Sequence, residues 1–477
     1  MVKRLSGMDA MFLSMEGATA WPQHTLGLMI LDPSSVPGFG FDTLRNHVQS
    51  RLKYLPQFRR RIQEVPFRLD KPVWVDDPDF RLDAHLHRAA LPSPGGPAEL
   101  AEIVGVILAR PLDRRLPLWE GWYLEGLEGG RVAFVAKTHH AMVDGVSGAG
   151  LSDVLCDLTP DASQPPAEIV DSQGAPRRSS VELLARGALS SVLSPPKLVQ
   201  YLRQTAGGAV TTISHLRRPE PPPRPLSAPR ASFNGALGPR RKFAYCSLAL
   251  DDVKHVKNHF GVKVNDVILS IVAGAIRDYL AKRDALPQRP LLATVPMSTR
   301  SAEDVELGNL VHPMVASLAT DIDDPVARLA AIHRGMNSAK DLAEELTKKQ
   351  TVGLTDIAPP MLFGALLRAY QAANLEQRMA LNTNLIVSNV PGPPMQLFLA
   401  GARIDHIVPV GPLAVGMGMN VTVFSYGDHV DVGVQVDPEL VDEAWELVSH
   451  TAEELDRLVA ATADNSTRPP TSPDTTR

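Results

Sequence analysis

The sequence predicts an α/β (α+β) protein of two domains, with strands and helices in both halves and a long proline-rich connector between them. Three observations predict it. The 477 residues exceed what one hydrophobic core organises, so two cores are expected. Of the 41 prolines, 13 fall between Pro160 and Pro239, among them the run Pro221-Pro222-Pro223. Such a run enters neither a helix interior nor a central strand and reads as an extended connector. On both sides of it, strand-like and helix-like segments alternate. The expected division is 1–160, a Pro-rich basic linker at 161–240, a second domain at 241–462, and a disordered tail at 463–477.

The elements follow from periodicity. Val430, Val432, Val434 and Val436 alternate with Asp431, Gly433, Gln435 and Asp437, a period of two with one apolar face. The run Asn420 to Tyr426 is the partner strand, with Gly427-Asp428 as the turn. Asp437 as N-cap and Pro438 at the first position would open a helix that carries Leu440, Val441, Ala444, Trp445, Val448, Leu455 and Leu458 at helical spacing. Further helices are expected at Asp266 to Lys282 and Asp324 to about Thr347. In the linker, Val181 to Leu193 and Leu198 to Leu216 have helical apolar spacing. From Arg177 to Lys242, twelve basic residues face two acids, a local +10 in a chain of net charge −5. A basic, amphipathic segment of this kind suits either a solvated tie between domains or an anionic lipid surface.

Composition narrows the function. With 44% apolar and 21% charged residues the chain is a globular type, and an isoelectric point near 6.3 gives no reason to expect nucleic acid. Cys156 and Cys246 have neither disulfide-framework nor metal-ligand spacing, which points to the cytoplasm. The longest apolar run, Val267 to Ile276, is half of what a bilayer span needs. Asp9 and Glu16 interrupt any signal-peptide core behind Lys3-Arg4.

The chemistry concentrates at Arg131 to Gly150, an apolar strand that ends in His139-His140 and then runs into Asp144, Gly145, Gly148 and Gly150. Strand ends of this kind are common ligand sites in α/β proteins. Successive side chains on a strand face opposite ways, so His140 shares a face with Val132, Phe134 and Ala136, and His139 with Lys137. Zinc ligation is disfavoured, because adjacent strand histidines diverge and no third ligand stands at a familiar spacing. A nucleophile elbow is disfavoured too, since Ala149 occupies the place of its second glycine. A histidine general base remains, its ordinary pKa near 6.5 leaving a lone pair at neutral pH.

The motif His139-His140-x-x-x-Asp144-Gly145 resembles that of the acyl-CoA-dependent acyltransferase superfamily, whose chloramphenicol-acetyltransferase-like fold implies two domains, each a mixed sheet covered by helices, joined by a long crossover linker. More specifically, the chain resembles the bacterial wax ester synthase/diacylglycerol acyltransferase family. The resemblance runs through Leu5-Ser-Gly-Met-Asp9-Ala-Met-Phe12-Leu13, Pro117-Leu118-Trp119-Glu120 and the histidine motif. It resumes at Val264-Asn265-Asp266-Val267, Val295-Pro296-Met-Ser298-Thr-Arg300, Gly308-Asn309, Ser388-Asn-Val-Pro-Gly-Pro393 and Phe424-Ser-Tyr-Gly-Asp428. Tyr426-Gly427-Asp428 stands where the plant branch carries Asp-Phe-Gly-Trp-Gly.

The resemblance implies acyl transfer from acyl-CoA to diacylglycerol or a long-chain alcohol, directly and without an acyl-enzyme. His140 would be the base and His139 orienting. Asp144 would pair with Arg300, and Asn265 is a candidate for holding the oxyanion or else caps the helix behind it. Gly145, Pro117, Leu118, Trp119 and Ser298 would line a tunnel between the domains. No cofactor and no metal are expected beyond acyl-CoA as co-substrate. The expected setting is cytoplasmic and peripheral, at the inner membrane face or lipid bodies, as monomer or homodimer. The rivals are a free-standing condensation-type enzyme that takes carrier-bound acyl groups and a non-catalytic lipid-surface protein of the same fold. Diacylglycerol and alcohol acceptors share every motif named.

Overall fold

In the computed structural model, residues 4–18, 21–145, 154–161, 179, 181–184, 195–298, 311–349, 357 and 360–463 are described. The first half runs α1 (Gly7–Ala18), β1 (His24–Asp32), α2 (Phe41–Arg51), β2 (Arg60–Gln63), β3 (Val73–Asp76), β4 (Leu86–Ala90), α3 (Pro97–Ala109), β5 (Trp119–Glu125) and β6 (Val132–His139). Helix α4 (Pro195–His215) lies in the connector. The second half runs β7 (Lys242–Ala249), α5 (Leu250–Phe260), α6 (Val264–Ala281), β8 (Leu292–Ser298), β9 (Val311–Ser317), α7 (Pro325–Lys349), α8 (Pro360–Ala372), α9 (Leu375–Arg378) and β10 (Leu385–Pro391). It closes with β11 (Phe398–Leu399), β12 (Ala402–Val410), β13 (Met419–Tyr426), β14 (His429–Val436) and α10 (Ala444–Ala463).

Two six-stranded sheets organise the molecule, ordered β11-β12-β1-β6-β5-β4 and β7-β14-β13-β10-β8-β9. Both mix parallel and antiparallel neighbours, as expected for mixed sheets covered by helices. The alternation along β6 holds: Val132 and Phe134 join one apolar cluster, Ala133 and Val135 another beside α3. The second core is built around α6, which is buried on every side from Asp266 to Ile276. Among the described residues no single helix is long and apolar enough to cross a membrane. The one bent pair that passes on composition, α5 with α6, turns by 106° and includes this buried core helix.

Three expectations change. Residues 398–410 pair with β1 in the first sheet, so the second half of the chain lends two strands to the first, an exchange that a linear division lacks. These strands pack against β13 and β14, with such close approach that a Cβ on Gly433 would lie 2.1 Å from the Pro409 carbonyl oxygen. The polar face of β14 is consequently buried: Asp431 and Gln435 are closed off from solvent, Asp431 bonded to β12 through Ile407. Asp437 caps only a turn, accepting from the Glu439 and Gly238 N–H groups at 2.9 and 2.6 Å, and the helix starts at Ala444. The helix expected over Leu198 to Leu216 is present as α4. The 463–477 tail lies beyond the described residues except for Ala463.

Candidate active site

Helix α1 holds both motif histidines. Its start is a capping box: the Ser6 hydroxyl accepts from the Asp9 N–H at 3.1 Å and donates to the Asp9 carboxylate at 2.7 Å, and that carboxylate accepts from the Ser6 N–H. Phe12 and Glu16, one turn apart on the same face, then meet successive residues of the motif. The Phe12 ring lies 4.2 Å from the His140 ring, centroid to centroid, and Glu16 Oε2 accepts from His139 Nε2 at 3.0 Å.

The two histidines differ in what the protein asks of them. His139 is fully buried, and both of its ring nitrogens are used: Nδ1 accepts the Ala141 N–H at 3.0 Å, which places its proton on Nε2 facing Glu16. His140 is half-buried. Its N–H donates to the Gln23 carbonyl at 2.8 Å, extending the β1–β6 ladder one residue before the chain enters a 3₁₀ turn over His140–Gly145. The backbone thus fixes His140 in place, with its ring against Phe12.

Glu16 collects three donors. Besides His139, its carboxylate accepts from His24 Nε2 at 3.1 Å and Arg114 Nη2 at 3.0 Å, and Arg114 also donates to the Leu13 carbonyl. Burial works to raise the Glu16 pKa, but the hydrogen bonds from His139 and His24 outweigh it and hold the group far below the usual carboxylate range. His24, paired with His139 across β1 and β6, is pushed down to about 4 by burial, which outweighs Glu16's attraction. At neutral pH the cluster is an ionised carboxylate held by a neutral His24 and by Arg114. Beneath it, buried Lys137 is lowered to about 8 by desolvation; its ammonium caps α3 through the Ile107 and Arg110 carbonyls.

The other expected residues separate into groups. Trp119 is part of the wall behind β6. Its indole N–H donates to the Phe58 carbonyl at 2.8 Å, its ring stacks on His85 at 4.6 Å, and the neighbouring Leu118 carbonyl accepts the His139 N–H. Asn265 is not the cap of α6: Lys263 is, closed by Asp266, whose carboxylate accepts the Lys263 N–H at 2.9 Å. Asn265 instead accepts from Asn389 Nδ2 at 3.3 Å, so its own NH₂ points away from Asn389. The side chains of Asp144 and Ser298, all of Arg300, and Gly148 and Gly150 lie outside the described residues.

Residues 5–268 match the wax ester synthase/diacylglycerol acyltransferase catalytic domain, and residues 307–459 match the C-terminal domain of the same proteins. The chain belongs to the wax ester synthase/diacylglycerol acyltransferase family. A Mycobacterium tuberculosis relative named as a diacylglycerol O-acyltransferase is 38% identical over 466 residues, covering 97% of this chain and 91% of its own. A second one from M. tuberculosis is 35% identical and covers 96% and 98%. Among solved structures, the wax ester synthase/diacylglycerol acyltransferase from Marinobacter aquaeolei VT8 superposes with a TM-score of 0.68 at 27% identity, over 97% of this chain and all of that one. The starter condensation domain of rhizomide synthetase, at 12% identity and a TM-score of 0.57, shares the fold, with 98% of this chain and 96% of that one covered.

Glu16, His24 and Arg114 were not singled out by sequence reasoning. An acid one turn beyond Phe12, on a largely apolar helix face, was the available signal for Glu16. His24 and Arg114 carry none in sequence, because only the β1–β6 register and the path after α3 bring them to α1.

Proposed function

We propose that this chain transfers a long-chain acyl group from acyl-CoA to diacylglycerol or a long-chain alcohol, as its family does, with His140 as general base. The division of labour between the histidines carries this reading: His139 spends both nitrogens on the protein, while His140 sits half-buried against Phe12 at the strand end. His140 takes the proton of the acceptor hydroxyl as its oxygen attacks the thioester carbonyl. The tetrahedral intermediate collapses, the C–S bond breaks, and the proton passes from His140 to the departing CoA sulfur. No acyl-enzyme forms, and the thioester makes a metal or prosthetic group unnecessary for this step. Asn265, whose amide oxygen is taken by Asn389, is the candidate donor to the oxyanion, with the α6 N-terminus adding positive partial charge. An Asp144–Arg300 pair would hold the turn that carries His140, and Gly145, Pro117, Leu118, Trp119 and Ser298 would shape the substrate passage.

The same reading places the enzyme on a lipid surface. Helix α4 is docked on α7 through its small and polar side: His215 pairs with Glu345 at 2.9 Å, Thr211 accepts from Lys349 at 2.7 Å, and Gly208 approaches Leu346. Its apolar stripe of Leu198, Leu202 (57% exposed), Val210 (68%) and Ile213 therefore faces outward, beside exposed Lys197, Arg203 and Arg217. A second apolar surface lies beside α1. Helix α8 packs on α1 and on the 66–68 turn, and Met361, Leu362 and Leu366 face outward from it. In the turn, Phe67 is 77% exposed at φ 57°, unusual for a bulky residue. Exposed apolar surface with a basic border suits insertion into an anionic bilayer where diacylglycerol resides.

The test is purified protein with labelled acyl-CoA or carrier-bound acyl donor, offered diacylglycerol and fatty alcohol in turn. Ester formed from acyl-CoA is expected. Ester from the carrier-bound donor alone, or none with either acceptor, contradicts the proposal.

A further inference from the structure

We propose that His406, His429 and Asp431 form a structural zinc site that staples the two sheets together. Strand β12 supplies His406 from the first sheet, and β14 supplies His429 and Asp431 from the second. One ligand atom from each lies within 4.8 Å of the others. His406 Nδ1 is 3.1 Å from Asp431 Oδ1, and His429 Nε2 is 3.5 Å from Asp431 Oδ2. A zinc ion at ~2.0–2.1 Å from each ligand in tetrahedral geometry sets neighbouring donors about 3.3 Å apart, and the two histidine spacings, one to each Asp431 oxygen, lie close to that edge.

Three further features suit a metal. His429 and Asp431 stand at i and i+2 of a strand, which puts both on one face. His429 Nε2 is buried with no hydrogen-bond partner among the described residues, while Nδ1 lies 2.9 Å from Asp428. A carboxylate on one nitrogen directs the lone pair of the other toward a metal, the outer-shell arrangement typical of zinc-bound histidine. On the opposite strand, pairing passes from Ile30–His406 to Leu31–Ile404, leaving Asp405 as a bulge immediately before His406. Bulges of this kind re-aim a neighbouring side chain. The Ile407 N–H donates to Asp431 Oδ2 at 2.9 Å and fixes the carboxylate from the β12 side.

Two half-buried imidazoles and a buried carboxylate are a borderline donor set that suits zinc, with a fourth position open to water. The site is separate from the histidine motif. His139 pairs with His24 and His406 with Ile30, six residues on along β1, which is about 20 Å at ~3.4 Å per residue.

The experiment uses chelator-treated full-length protein titrated with Zn²⁺ and, for its visible spectrum, with Co²⁺. One equivalent of zinc, a tetrahedral cobalt spectrum and a zinc-dependent rise in melting temperature are expected. His406→Asn and His429→Asn should each weaken zinc binding at least about 100-fold, and Asp428→Asn about 10-fold with unchanged stoichiometry. The cobalt spectrum needs only the wild type, so a variant that fails to fold leaves the test intact. Absence of zinc binding at micromolar metal, or equal binding by wild type and the folded His406→Asn/His429→Asn double variant, overturns the proposal.

Discussion

Glu16 illustrates how one side chain sets the geometry of another's chemistry. Its carboxylate fixes the His139 tautomer, and His139 in turn receives the Ala141 N–H at the start of the turn that carries His140. Replacing Glu16 by Gln removes the charge and sets an NH₂ against donors that need an acceptor. Glu16→Gln should cost about 1–3 kcal/mol in urea unfolding. Its kcat should fall at least about tenfold with little change in KM, because Glu16 positions groups and touches no substrate; a selective rise in KM would contradict this role. His140 was legible in the sequence because the motif is contiguous. Glu16 was not: its importance comes from a helix that precedes the motif by more than a hundred residues. Asn265 was legible as a helix-start residue, but its exchange with Asn389 and the cap at Lys263 depend on how β10 lies beside α6.

Helix α4 shows what periodicity tells and what it omits. The spacing of Leu198, Val199 and Leu202 announced an amphipathic helix, and the helix is there. Periodicity alone could not say that the polar side would be the docked one, since that depends on Glu345, Leu346 and Lys349 of α7. The consequence is testable. Replacing Leu198, Leu202 and Ile213 by Ser should abolish most binding to anionic liposomes, and Lys197→Gln/Arg203→Gln/Arg217→Gln should weaken it in a salt-dependent way, at about 1 kcal/mol per charge. Turnover of a short, water-soluble alcohol should survive both changes. Unchanged liposome binding, or loss of soluble-alcohol turnover in a folded variant, would make α4 a tie between domains.

At the scale of the whole molecule, the two halves are interleaved. The alternation of β14 was readable, but its buried polar face was not, because the strand that covers it returns from the second half to pair with β1. Such a molecule should unfold with its halves coupled. Burial of His24 adds a pH dependence. Its value falls from about 6.5 in the unfolded chain to about 4 in the folded one, so between these limits the unfolded chain binds a proton that the folded chain does not. Stability should therefore decline as pH drops from 6.5 to 4, by about 3 kcal/mol at most, and His24→Gln should flatten that limb of the urea-midpoint curve. An unchanged slope would mean His24 is not held neutral. Turnover with both substrates saturating tests His140 as the base for acyl transfer most directly. Folded His140→Ala should lose a factor of about 10² to 10⁴ in kcat; turnover equal to that of the wild type would contradict it.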